Sequence, residues 1–226
     1  RKRFALSDAK VTPPDLEGIG VYEFGWSDPD EAGASAKRGI NQEVVADISA
    51  KKGEPQWMLD HRLRSLKIFL EMPMPTWGAD LSQLDLNDII YFASAVLRQA
   101  QDDTPNDWGQ VPEDIRRVYD RLGIPEAERK MLAGVGAQYE SDMIYHNLKK
   151  EWEDLGVIFL DMDDAVRLHP QIVQQYFMKC VPATDHKFAA LHGAVWSGGT
   201  FLYVPKGVKV RDPLQAYFRM NAKNMG

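Results

Sequence analysis

Apolar and polar positions change rhythm along the chain, and each change predicts a different kind of element. Residues 1–40 hold no sustained apolar period. The stretches "TPPDLEG" and "GWSDPDEAGASAKRG" are rich in Pro, Gly, Asp, Ala and Ser, so a flexible N-terminal segment is expected over 1–40. Within it, Tyr22, Phe24 and Trp26 alternate with Glu23 and Gly25, the pattern of a short surface strand or of an arm that orders against a partner. Order is expected from Asn41. "NQEVVADISAKKG" opens on an N-cap residue, carries Glu43 in its first turn and closes on Lys51, Lys52 and Gly53. Those residues complement the unpaired N–H and C=O groups at the two ends of a helix. In "EPQWMLDHRLRSLKIFLEMP", Leu59, Leu63, Leu66 and Leu70 recur at helical spacing and predict one apolar stripe. His61, Arg62, Arg64 and Lys67 fall mostly off that stripe and read as a solvated basic face. Pro55 suits the first turn, and Pro73 and Pro75 end the helix because proline offers no N–H and restricts the residue before it.

"MPMPTWGADLSQLDLNDIIYFAS" predicts an extended connector that leads into a short apolar strand or helical turn at 89–92, and "QAQDDTPNDWGQ" a polar loop. "VPEDIRRVYDRLG" and "IPEAERKMLAG" each open near a proline and end on a glycine, which predicts a pair of short helices. "VGAQYESDMIYHNLKKEWEDLG" predicts an extended piece and then a helix to Gly156. "VIFL" follows as a buried strand, and "DMDDAVRLHPQIVQQYF" as a helix bent at His169. Beyond Pro182, "FAALHGAVWS", "TFLYVP", "VKV" and "LQAYFRMN" read as short strands parted by Gly and Pro. On the last of them Leu214, Ala216, Phe218 and Met220 share an apolar face, and Gln215, Tyr217, Arg219 and Asn221 a polar one. Nothing in the sequence follows to cover that strand. The expectation is an unfinished stack of strands at the end of a chain that is the front part of a longer protein.

Composition narrows the function classes. At 226 residues, 44% hydrophobic and 27% charged, the chain can bury a core. A net charge of −6 argues against a general nucleic-acid binder. No apolar run approaches the ~20 residues of a membrane span, and "RKRFALSDAK" lacks the apolar core of a secretory signal. The first residue is not Met, so it is not expected to be the gene's first codon. Cys180 is the single cysteine. That excludes an internal disulfide and a multi-cysteine zinc or cluster site, and fits a reducing, cytoplasmic location. Its apolar neighbours in "YFMKCVP" predict a buried structural thiol. Asp161, Asp163 and Asp164 fall at a predicted helix start, where carboxylates offset the helix dipole, so capping is expected of them and not metal binding. His61, His146, His169, His186 and His192 have no metal-ligand spacing. There is no GxxxxGK[ST] loop and no GxGxxG, and "AVWSGG" lacks the glycine before the serine of a nucleophile elbow. No self-sufficient catalytic, metal or cofactor site is expected.

Several of these stretches together resemble a known family. "NQEVVADISAKKGEPQWMLDHRLRSLKIF", "GVIFLDMDDAVRLHPQIVQQYF", "KFAALHGAVWSGGTFLYVPKGV" and "PLQAYFRMNAKNMG" are similar, in order and spacing, to the SufB family, the scaffold subunits of the SUF iron–sulfur cluster assembly system. The resemblance runs from about Tyr22 to Gly226. It implies an α+β chain: an N-terminal helical and αβ region over 41–180, then the first rungs of a right-handed parallel β-helix, here truncated, over 181–226. It implies a scaffold and not an enzyme, acting with the ATPase SufC and the paralogue SufD and fed with persulfide by a cysteine desulfurase system. The cluster-bearing cysteines of the family lie beyond Gly226, and Cys180 matches none of them, so this segment is expected to hold no cluster itself. Arg219 and Asn221 fall on the family's "YFRxN" strand, which makes them sulfur-route candidates: a guanidinium steadies a thiolate or persulfide anion, and an amide donates a hydrogen bond to it. The rival readings are a SufD-like paralogue, a β-helix carbohydrate-active enzyme and a plain interaction module using the Tyr22–Trp26 arm. Residues 197–226 hold one acid, Asp212, which weakens the carbohydrate reading, and "AKKGEPQWML" favours SufB over SufD.

Overall fold

The computed structural model describes residues 37–92, 109, 113, 116–117, 134–139 and 142–219. Helix α1 (Gln42–Lys51) starts where its cap predicts. Asn41 is extended, and its side chain accepts from the Val44 amide at 2.9 Å, which supplies a partner that the first turn lacks. Gly53, at φ +61, turns the chain into α2 (Gln56–Glu71). Pro55 stands just outside that helix as its N-cap, and Met72 is extended at ψ 137, as a residue before proline must be. Residues 37–40, expected within the flexible segment, are held: Gly39 N–H donates to Ile89 O at 2.9 Å, Arg38 bridges Ile90, and Ile40 is buried.

The leucine stripe does not mark the buried face of α2. Met58, Arg62, Ser65, Leu66 and Phe69 are buried, while Leu70 is 63% exposed. The reason lies in α6 (Lys187–Val195), which the sequence pattern placed among strands and which is a helix. Its Ala189, Ala190, Gly193 and Ala194 are buried at i, i+1, i+4, i+5 spacing, and alanine is the strongest helix former. A Cβ at Gly193 would lie 2.6 Å from Ser65 Oγ. The two backbones therefore approach closely along the side of α2 that carries Ser65, and the leucines at 59, 63 and 70 are left to the flank.

After the residues between 92 and 134, β1 (Gly134–Tyr139) and β2 (Asp142–Leu148) form an antiparallel hairpin whose register runs from Gly134 opposite Leu148 to Tyr139 opposite Asp142. This corrects the helix expected up to Gly156, of which only α3 (Lys150–Glu153) remains. Aromatic and β-branched residues in "DMIYHNL" suit a strand. Strand β3 (Ile158–Asp161) is the predicted "VIFL" element moved on by one residue, and α4 (Met162–Leu168) and α5 (Pro170–Tyr176) are the predicted helix, parted at His169. β3 pairs antiparallel with β4 (Thr200–Tyr203). β5 (Leu214–Arg219) pairs parallel with β1, giving a three-stranded sheet of order β2-β1-β5. "VKV" forms no strand; Val208 and Val210 pack with Leu214 against Leu148, Trp152, Val157 and Phe159. β4 and β5 thus lie in different sheets. Of the two short helices predicted over 111–134, the first is helical at Glu113, Arg116 and Arg117, and the second lies outside the described residues apart from its closing Gly134, which begins β1. Among the described residues no helix is long and apolar enough to cross a membrane.

Candidate functional site

Trp196, the residue after α6, sits where α2, α4 and α5 pack together. It is 4% exposed and packs with Met58, Met162, Ala165, Val166 and Val173. Two cations address its ring. The Arg62 guanidinium lies 4.5 Å and the Lys52 ammonium 5.9 Å from ring centroids. Neither cation is on a solvated face, as was expected of Arg62. Its Nε donates to Glu54 Oε2 at 2.7 Å, Nη2 to Glu54 Oε1 at 2.5 Å and Nη1 to Ala194 O at 3.0 Å. Lys52 Nζ meets Asp163 Oδ2 at 2.6 Å, with the two side chains 3% and 8% exposed. A buried guanidinium needs a bidentate carboxylate and a third acceptor to offset its lost hydration, and it has both. Sequence spacing held a signal for Arg62: it stands four residues after Met58 and four before Leu66, in the buried row.

Beside this hub, turned toward α5, lie His61 and Met178. His61 Nε2 is 3.3 Å from Met178 Sδ, and its ring meets Phe177 edge-on at 5.2 Å. Burial, reinforced by Arg64, Arg62 and Lys179, lowers the His61 pKa to about 4. Burial first and Arg62 second also lower that of His192. Both imidazoles are therefore neutral at pH 7. Two cavities flank Trp196. One, of about 460 Å³, is walled by Met162, Tyr176, Phe177, Met178, Thr200 and Phe201; the other, of about 310 Å³, by Tyr91, Phe188, Leu191 and Phe218; His192, Trp196 and Gly198 border both.

Asp161 is buried and accepts from the Asp163 amide at 2.8 Å, Asp163 holds Lys52, and Asp164 pairs with Arg167 at 2.8 Å, so the acidic run caps and pairs. His186 caps α6, its Nδ1 accepting from Ala189 N at 3.2 Å. His169 stacks on Phe201 at 6.4 Å. His146 lies on β2. Cys180 is exposed, which corrects the buried thiol. Met178, at φ +51, turns the chain so that it and Phe177 face the His61 side, and Cys180 and Val181 face solvent. Arg219 ends β5 opposite Tyr139 in the parallel register. Asn221 lies outside the described residues, as do Met220 and the Tyr22–Trp26 arm. Phe218, expected on a core face, is 57% exposed at the rim of the smaller cavity. No group of three or more His, Cys, Asp or Glu with the arrangement of a metal site occurs among the described residues.

Comparison with known proteins connects this geometry to a family. Residues 130–216 match the family described as the SufBD protein N-terminal region. Over 208 residues, 92% of its length, the chain is 53% identical to a Staphylococcus epidermidis protein named as an iron-sulfur cluster assembly SufBD family protein, and covers 44% of it. Over 212 residues it is 53% identical to a Mycobacterium tuberculosis protein of the same family name, covering 24% of that protein. A Staphylococcus aureus relative so named is 51% identical over 208 residues. The chain spans less than half the length of these relatives.

Proposed function

We propose that this chain is the N-terminal part of a SufB-type scaffold for iron–sulfur cluster assembly. The observation that carries the reading is identity above one-half across 92% of the chain with proteins named for that process. Its role is to fold and position, not to turn over substrate. The hub at Trp196 gathers α2, α4 and α5 and takes Lys52 from the end of α1, and β5 lies parallel to β1, the strand direction that a right-handed parallel β-helix would extend. The cluster is the cargo of the complete protein, held by residues that this segment does not supply; the one thiol here is Cys180. SufC, which hydrolyses ATP, and SufD are the partners of the complete protein, a cysteine desulfurase system its sulfur source, and Arg219 and Asn221 residues of the sulfur route.

The SufB assignment over SufD draws on "KKGEPQWMLDHR", where Lys52, Glu54, Met58 and Arg62 are the residues that build the hub. Co-purification of the complete protein from its own cells is the test. Recovery of SufC and SufD in stoichiometric amounts, with loss of cluster-dependent enzyme activities on depletion, is the expected result. Recovery of a second SufB-type chain in place of SufD would reassign this one as the SufD-like subunit, and retention on polysaccharide without SufC would end the reading.

A further inference from the structure

His61 and Met178 form a pair that the hub at Trp196 does not use. His61 Nε2 stands 3.3 Å from Met178 Sδ, across 117 residues of sequence. Both residues are half-buried, and Met178 also walls the larger cavity. The position of the sulfur is set by its surroundings. α6 passes so close that a Cβ at Gly193 would lie 3.0 Å from it. Met178 sits at φ +51, a left-handed backbone that glycine adopts more readily. Such a backbone persists where the contacts around it over-determine it. Two residues further along the same turn, Cys180 presents an exposed thiol.

A nitrogen and a sulfur at that spacing suit one ion between them. Bonds of about 2.0 Å to an imidazole nitrogen and about 2.3 Å to a sulfur place the two donors 3.3 Å apart at an angle of roughly 100°, near the tetrahedral value. His61 is neutral at pH 7, so one of its ring nitrogens keeps a free lone pair. Arg64, Arg62 and Lys179, the cations beside His61, select the charge of the ion. A divalent ion would face their repulsion, whereas a monovalent ion bound together with the Cys180 thiolate adds no net charge. Thioether, thiolate and imidazole donors together favour soft copper(I) over zinc and the hard cations. We infer that His61, Met178 and Cys180 form a binding site for one copper(I) ion, held by Nε2 and Sδ and closed by the Cys180 thiolate as the turn at 178–180 swings in. Binding keeps the proton of His61 on Nδ1, releases that of Cys180 to solvent and transfers no electron. The inference does not depend on the role in cluster assembly.

Anaerobic titration of the full 226-residue chain with copper(I), in competition with the chelator bicinchoninate, tests it. One equivalent is expected to pass from the chelator to the protein. Met178→Leu and His61→Gln should each weaken the affinity at least tenfold and Cys180→Ser at least a hundredfold, while Met72→Leu leaves it unchanged. Leucine keeps the volume of methionine, so the loss at Met178 reads the sulfur and not the packing. Silver(I), a diamagnetic stand-in, should shift the imidazole nitrogen resonances of His61 and leave those of His169 in place. Affinity that falls only with Cys180→Ser would mean a lone thiol and would overturn the site. No transfer from the chelator, displacement of the ion by tenfold zinc(II), or unmoved His61 resonances would overturn it equally.

Discussion

Around Trp196, α1, α2 and α6 close on two buried ion pairs and a helix contact that admits only glycine, whereas β5 joins β1 through a backbone ladder and enters a small cluster at Leu214. In the first region the identity of single atoms matters. In the second, Phe218 on β5 stands 57% exposed. The helical hub is therefore the part that substitutions can break, and the exposed face of β5 at Phe218 the part that accepts them.

The largest effect is expected at Arg62. Arg62→Ala strands the Glu54 carboxylate in the core and should cost about 3–5 kcal/mol in denaturant unfolding. Replacing both partners, Glu54→Leu with Arg62→Met, should cost clearly less, and an equal loss would mean that the pair does more than neutralise itself. Next comes Gly193→Ala, which drives a methyl into Ser65 Oγ at 2.6 Å and should cost about 1–3 kcal/mol. Ser65→Ala in the same chain should restore part of that, and full additivity of the two losses would separate the sites. The pH dependence comes third. The folded His61 has its pKa at about 4 against an ordinary 6.5, so the unfolded chain binds more protons between these values. Its contribution is whole above pH ~6.5 and is lost as pH falls toward 4. The denaturation midpoint of His61→Gln should accordingly fall less steeply across that window. Smallest is Phe218→Ser, expected within about 0.5 kcal/mol of the parent by the same measurement. A loss of several kcal/mol there would erase the contrast between hub and sheet.

What the sequence disclosed divides along the same line. Local signals were legible: Asn41 as a cap, Gly53 as a stop, His169 as a break, Asp161 as a helix start. Each depends on atoms a few residues away. The errors arose where a distant partner decided. Arg62 looked solvent-facing because Ala194 O, its third acceptor, lies 132 residues on. "FAALHGAVWS" looked like a strand because its neighbours in sequence are strands, while its small residues serve a packing contact with Ser65 that lies far upstream. Apolar residues surround Cys180 in sequence, but the turn at Met178 presents it to solvent. The strands of the hairpin were hidden because "SDMIYHNL" also fits a helical count, and only pairing of Tyr139 with Asp142 settles the choice. Of the site, the sequence named Arg219 and Asn221 from resemblance and gave no hint of Trp196.

Lys187 donates to Phe69 O and Met72 O at 2.6 Å each, closing the carboxyl end of α2 from 118 and 115 residues downstream. On a ribosome adding 5–20 residues per second, that lysine is made roughly 6–24 s after Phe69. Until then the last carbonyls of α2 lack the Lys187 ammonium and its α6-facing side is uncovered. The nascent chain thus carries α2 for seconds before the helix that covers it has been made.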